Sequence, residues 1–179
     1  DIVGGRVETF DETLEPRSGA EAFEKIFAFN QKDYIENKRF SVTANLITNR
    51  EVFGDVGKFK IGLSEDVDWC HRAVEKGYKL IYCPEICVQH PTRSNWKSLK
   101  LKWLRLTTEA YNLHIYKNWG GVYWFCKSIF VLGSVFVHVP KILLSTALIS
   151  KGEKLRAIIT LIRLRLYRAI LMLQLLFNS

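Results

Sequence analysis

Apolar residues in the first 90 positions fall into short groups, each with its own period. Residues 1–10 read as a short strand, Ile2 to Val7, broken by Gly4-Gly5. Gly19 to about Phe29 reads as a helix. Ser18 is placed to cap it, and Phe23, Ile26 and Phe27 share one face. Gln31 to Arg39 is polar and reads as loop. Phe40 to Thr48 alternates through Val42, Ala44 and Leu46 and reads as a strand ending at Asn49. Arg50 to Phe53 reads as one helical turn, followed by a loop marked by Gly54, Gly57 and Gly62. The clearest element is Ser64 to Lys76. Ser64 suits the N-cap, and Glu65, Asp66 and Asp68 occupy a first turn whose dipole favours negative charge. Val67, Cys70, Ala73 and Val74 form its apolar stripe, and Gly77 suits a left-handed residue after its end. Lys79 to Cys83 reads as a strand closed by Pro84, and Ile86 to His90 as another stopped by Pro91.

Beyond residue 93 the pattern changes. Ser94 to Tyr116 is basic, with helical spacing in Trp96, Leu99, Trp103, Leu106 and Tyr111. Val122 to Ile149 is nearly apolar, interrupted only by Lys127, His138 and Lys141 and divided by Pro140. Its uncharged run from Ser128 to Val137 is ten residues, against the roughly 20 that span a bilayer. The 13 residues between Lys127 and Lys141 favour a shallow or re-entrant placement, and counting through His138 and Lys141 leaves a broken span open as well. Lys154 to Phe177 has no acid and sets Arg156, Arg163, Arg165 and Arg168 among Leu and Ile.

The 179 residues suit one domain with an appendage. With 48% apolar and 25% charged residues, disorder, collagen and a fully membrane-buried chain are excluded. The net charge of +8 conceals a split. Residues 1–93 hold 13 Lys/Arg against 16 Asp/Glu, a balance of −3, whereas residues 94–179 hold 13 against Glu109 and Glu153 alone, a balance of +11. A basic, apolar half points to an anionic surface, membrane or nucleic acid. Long aliphatic runs such as Ala157 to Ile162 suit lipid and not a phosphate groove, so nucleic acid is not expected as a partner. Cys70, Cys83, Cys87 and Cys126 do not read as a disulfide framework. Cys83 and Cys87 lack a second ligand pair for zinc, which leaves a reducing, cytosolic setting. The chain opens Asp1-Ile2-Val3-Gly4-Gly5, without an initiator Met, and the expectation is that further sequence precedes it.

Two adjacent carboxylates, Glu65 and Asp66, stand at the start of a capped helix directly after a glycine loop. A rigid element's end is where a general base must be held to take a proton from an acceptor hydroxyl. Acids in a first turn also stabilise a helix with no further role, by a fraction of a kcal/mol each, and the spacing leaves both readings open.

The wider set of segments is more specific. Thr43-Ala44-Asn45-Leu46, Arg50-Glu51-Val52-Phe53, Val56-Gly57-Lys58-Phe59, Glu65-Asp66-Val67-Asp68-Trp69-Cys70-His71-Arg72-Ala73, Gly77-Tyr78-Lys79-Leu80, Tyr82-Cys83-Pro84 and Val88-Gln89-His90 occur in this order. Together they resemble the C-terminal half of family 2 glycosyltransferases of the GT-A fold, in particular bacterial cell-surface and polysaccharide glycosyltransferases. The opening Asp1 to Glu8 resembles the strand that follows the metal-binding segment in that family. The resemblance covers residues 1–93, about half of the chain. It implies an α/β fold: a partial GT-A sheet over residues 1–93, here the acceptor side, followed over 94–179 by a basic, α-helical, membrane-associated extension.

The resemblance also implies roles. Asp66, with Glu65 beside it, would be the catalytic base of an inverting transfer. Ala44 and Asn45 would line the cleft between donor and acceptor. His90 would help to hold the divalent metal or the diphosphate, or is a strand-end histidine bonded to backbone. Arg93 would contact the diphosphate or is a solvated loop residue. Trp69 would stack on a sugar or belongs to the core. The partners implied are a nucleotide-sugar donor, a glycan or lipid-linked acceptor, and the membrane, at the cytoplasmic face of the inner or plasma membrane. A divalent cation, magnesium or manganese, is expected with the family's Asp-x-Asp half. No Asp-x-Asp precedes residue 64, and the only match, Asp66-Val67-Asp68, belongs to the acid-pair helix. The 179 residues alone are therefore expected to transfer no sugar. The alternative is a catalytically inactive fragment acting as a membrane-associated scaffold or interaction module.

Overall fold

The computed structural model describes residues 1–115 and 119–178. Tyr116, with which the basic helical stretch was expected to end, lies outside them. The chain divides into two compact units, Asp1–Phe10 with Phe29–His90, and Asp11–Ala28 with the residues from Pro91 onward.

The first unit is built on β1 (Ile2–Phe10), β2 (Leu46–Thr48) and β3 (Leu80–Pro91), in the order β2-β1-β3. β2 runs antiparallel to β1, with Ile2 opposite Thr48, Val3 opposite Ile47 and Gly4 opposite Leu46. β1 is not broken at Gly4-Gly5. Both glycines are buried, and a Cβ on Gly4 would strike Ile35 and Ser41, one on Gly5 Asn45 and Ile86. They permit close approach within a strand and make no turn. β3 likewise runs through Pro84, which expected strand breaks did not allow for. It is an edge strand of this sheet, where a missing N–H costs least.

Helix α2 (Gln31–Glu36) replaces the expected loop. Gln31 is buried, donates to the Gly5 carbonyl (3.1 Å) and the Ser41 hydroxyl (2.9 Å), and accepts from the Val42 N–H (3.2 Å). One buried apolar residue, Ile35, leaves no period to detect. The strand expected from Phe40 shrinks to three residues, because Thr43–Asn45 forms a 3-10 turn. Here Ser41 and Asn45 side chains bond to backbone and compete with a ladder. Helix α3 (Arg50–Val56) exceeds the single turn expected and is capped by Asn49, which accepts from the Val52 N–H at 2.8 Å. Helix α4 (Glu65–Glu75) lies where it was expected, and Gly77 follows at φ +89°. Ile2, Val52, Val56, Trp69, Cys70 and Ala73 form the core of this unit.

The second unit holds α1 (Gly19–Phe27), α5 (Trp96–His114), α6 (Gly120–Leu144) and α7 (Lys151–Phe177). Ser18 and Glu21 close a capping box on α1, with the Ser18 N–H donating to Glu21 at 2.7 Å. Grouped by sequence with the first 93 residues, α1 packs instead against α5 and α7. Ala20 and Phe23 join Leu99, Ile142, Leu148, Ala157, Leu161 and Leu164 in one core. Charges of the α1 segment find partners in the helices that follow. Glu24 takes Lys102 at 2.5 Å and the Arg93 N–H at 2.6 Å, and Arg17 joins Asp11 (2.6 Å) to Glu153 (3.2 Å).

Helix α6 continues through Pro140. A proline inside a helix costs ~3 kcal/mol. Full burial of Ile142 in the turn that follows returns about 1.5–3 kcal/mol. Among the described residues α6 is one helix long and apolar enough to cross a membrane. It leaves Phe130, Phe136 and Leu144 largely exposed.

Candidate active site

Asp66 lies in the first turn of α4, half-buried, and its Oδ1 accepts from the Val67 N–H at 2.9 Å. A helix N-terminus of this kind favours negative charge. Cys70, one turn further on, is buried, and its Sγ lies 3.8 Å from the Ser41 carbonyl. Burial, with the Asp66 charge adding to it, pushes the Cys70 thiol up to about 11. Burial also raises the Tyr34 hydroxyl above its ordinary value, and the charges of Asp33 and Asp66 act in the same direction. Asp66 is therefore coupled to Tyr34 on α2 and Cys70 on α4. Cys70 follows from the four-residue helical spacing. Tyr34 had no signal, since α2 shows no apolar period.

The neighbouring acids differ in their commitments. Asp68 is paired with Arg72 (2.8 Å) and Lys60 (3.5 Å), and Arg72 reaches on to the Val56 and Lys58 carbonyls. This acid fastens α4 to the loop before it. Glu65 is half-buried in the first turn beside Asp66. His71 lies with Nε2 3.0 Å from the Lys38 carbonyl.

Residues expected to touch substrate take varied places. Trp69 is fully buried, donates from Nε1 to the Gly57 carbonyl at 2.8 Å, and packs against Phe53 and Phe59 with ring centroids 5.8 Å away. Of its two readings this is the core one, and no ring face is left open to a sugar. Asn45 is buried, and its amide donates to the Arg6 (2.8 Å) and Ile86 (3.1 Å) carbonyls, joining β1 to β3. Ala44 beside it is exposed. Ser41 links the two regions, since its hydroxyl donates to the Asn45 carbonyl (3.2 Å) and its own carbonyl faces Cys70. His90 is half-buried at the end of β3, 5.2 Å from the Phe29 ring. Arg93 belongs to the helical unit, beside Glu24 and Lys102.

Among the described residues no three His, Cys, Asp or Glu side chains converge to hold an ion. The divalent metal implied by the resemblance thus has no ligand set in these residues, and no step is routed through it. A cleft of about 400 Å³ in the same unit is lined by Ile35, Glu36, Arg39, Val74 and Tyr78, and Asp66 is not in its wall.

No family model matches the chain. It is 33% identical over 104 residues to a curated protein of Haloferax volcanii named Glycosyltransferase AglE. The aligned part is 56% of this chain and 33% of that protein, so the chain spans about a third of its relative's length. No solved structure matches.

Proposed function

We propose that these residues form the acceptor side of a nucleotide-sugar-dependent glycosyltransferase of family 2, GT-A type, with Asp66 as general base. The observation that carries the reading is the likeness to a protein named as a glycosyltransferase, which supports glycosyl transfer in general. The half-buried carboxylate at the start of α4 supplies the chemistry. Its oxygen takes the proton of the acceptor hydroxyl as that hydroxyl attacks the anomeric carbon. The bond to the nucleoside diphosphate breaks with inversion. Glu65 lies beside it to add negative charge at the acceptor.

Membrane attachment through the helical unit is part of this proposal. Besides the exposed face of α6, α7 exposes Leu155, Ile159, Ile162, Leu166 and Ile170 at steps of three and four. Apolar faces of this extent mark interaction sites. The excess of Lys and Arg beyond residue 93 suits the anionic cytoplasmic leaflet.

The test uses membranes from cells producing the chain together with an Asp-x-Asp donor-binding half, supplied with labelled nucleotide sugars, with label counted in the lipid and glycan fractions. Asp66→Asn is expected to lower transfer by roughly 10²–10⁴-fold while leaving the thermal midpoint in place. Transfer that survives the substitution removes Asp66 as the base. Absence of transfer with every donor favours a membrane-anchoring module without catalysis.

A further inference from the structure

Trp96, Lys100, Trp103 and Thr107 form one ridge of α5, at steps of four, three and four. α7 lays basic side chains over it. The Arg163 guanidinium sits 4.1 Å above the Trp96 ring and the Arg168 guanidinium 4.1 Å above the Trp103 ring. Among the described residues, four polar atoms of α5 and α7 are buried without a hydrogen-bond partner: Trp103 Nε1, Thr107 Oγ1, and the Nε atoms of Arg165 and Arg168, whose side chains are themselves half-buried. Each can donate. Burial, with the neighbouring Arg165 charge, pushes the Arg168 guanidinium down to about 9, and burial lowers Arg165 as well. At about 9, Arg168 remains protonated at neutral pH.

Acids on the elements packed here are otherwise engaged. α6 has none, and the only acid of α5, Glu109, pairs with Arg105 at 3.2 Å. The only acid of α7, Glu153, pairs with Arg17, and on α1 Glu24 pairs with Lys102 while Glu21 closes the capping box. A water molecule can accept from Trp103 or Thr107, but it cannot neutralise two adjacent guanidinium groups. Two like charges held side by side with buried, unpartnered Nε atoms are kept at a cost to the fold, and such cost is found at functional sites.

We infer that the Trp103, Thr107, Arg165 and Arg168 side chains at the α5–α7 seam bind a phosphate group, that of a membrane lipid headgroup or lipid carrier. A phosphate supplies anionic oxygens for four donors, and arginine matches its geometry. The exposed apolar stripe of α7 begins on the same helix, so a phosphate at the seam can keep its acyl or isoprenyl chain in the lipid. This inference rests on the membrane attachment proposed above.

The test compares the full chain with Arg165→Gln/Arg168→Gln on two kinds of phosphatidylcholine vesicle. One kind is doped with phosphatidic acid, the other with oleate to the same surface charge. The unmodified chain is expected to bind the phosphate vesicles roughly tenfold or more tightly than the carboxylate ones, at about fivefold for each charge engaged. The double variant should bind both equally. In detergent without phosphate, its thermal midpoint should rise by about 2–4 °C, because two neighbouring like charges with unpartnered Nε atoms have been removed. Arginines that only hold the helices together would lower it. Binding to neither vesicle would overturn membrane attachment, and the inference with it. Equal binding of the unmodified chain to both kinds, or a preference kept in the double variant, would overturn the phosphate site alone. Inorganic phosphate that abolishes the preference would assign the site to the free anion, and a preference it leaves intact would assign the site to the lipid.

Discussion

Asn45 stands in the segment whose resemblance places it at the cleft, yet its amide is spent on two backbone carbonyls of different strands, Arg6 and Ile86. Removing that amide strands two acceptors in a half-buried setting, which costs about 1–3 kcal/mol. Asn45→Ala is therefore expected to lower unfolding free energy by about 2 kcal/mol in a denaturant titration at unchanged slope. Unaltered stability would return Asn45 to a role in binding. Trp69 makes a parallel case. Its neighbours in sequence suggested either a sugar platform or core, and only its bond to Gly57 and its packing on Phe53 and Phe59 decide between them. Asp66 differs from both. Its place at a helix start was legible from Ser64, the acids and the stripe behind them, because those signals are local. Its coupling to Tyr34 was not, because α2 comes to it from 32 residues earlier in the chain.

Helices with a cap and a stripe were readable from the chain, and α1, α4 and α5 lie close to their expected bounds. Elements whose formation depends on distant partners were not, as α2 and the shortened β2 show. α4 carries a testable consequence of its burial. The Cys70 thiol, raised by burial to about 11 from an ordinary 9.0, stays protonated in the folded chain at pH values where the unfolded chain loses its proton. The folded state then binds more protons than the unfolded one. Stability from this group is present below pH 9 and declines as pH rises toward 11, by up to about 1.4 kcal/mol per pH unit. Denaturation followed across that interval should show the decline, and Cys70→Ala should make it shallower by that slope. An identical slope in the variant would assign the alkaline loss to other groups. At neutral pH a thiol reagent should label the exposed Cys87 and Cys126 before Cys70.

Across the whole chain, the charge split became two different things in the structure. Part of the basic excess is met by an acid of the α1 segment, as Lys102 on Glu24 shows, and part carries Nε atoms without a hydrogen-bond partner among the described residues, on Arg165 and Arg168. The apolar excess also divides, some forming the helical core and some lining the outer faces of α6 and α7. If those faces meet lipid, Phe130→Asp/Phe136→Asp should move the protein out of the membrane fraction by tenfold or more, since each buried aromatic is worth roughly 1.5–3 kcal/mol. At 77% and 83% exposure, neither change should shift the thermal midpoint in detergent, as surface substitutions stay within about 0.5 kcal/mol. A variant that stays in the membrane fraction would mean that another face makes the contact. By itself the sequence determined about where α1, α4 and α5 begin and end, which half is basic and apolar, and which acid pair heads a helix, because caps, periods and composition act over a few neighbouring residues. Tertiary structure alone decided that two glycines admit close neighbours within a strand, that Asn45 and Trp69 are fastened into the fold, and that the Nε atoms of Arg165 and Arg168 are buried without a hydrogen-bond partner among the described residues. Each of those outcomes is set by groups that meet only after the chain has folded, and no local pattern records such a meeting.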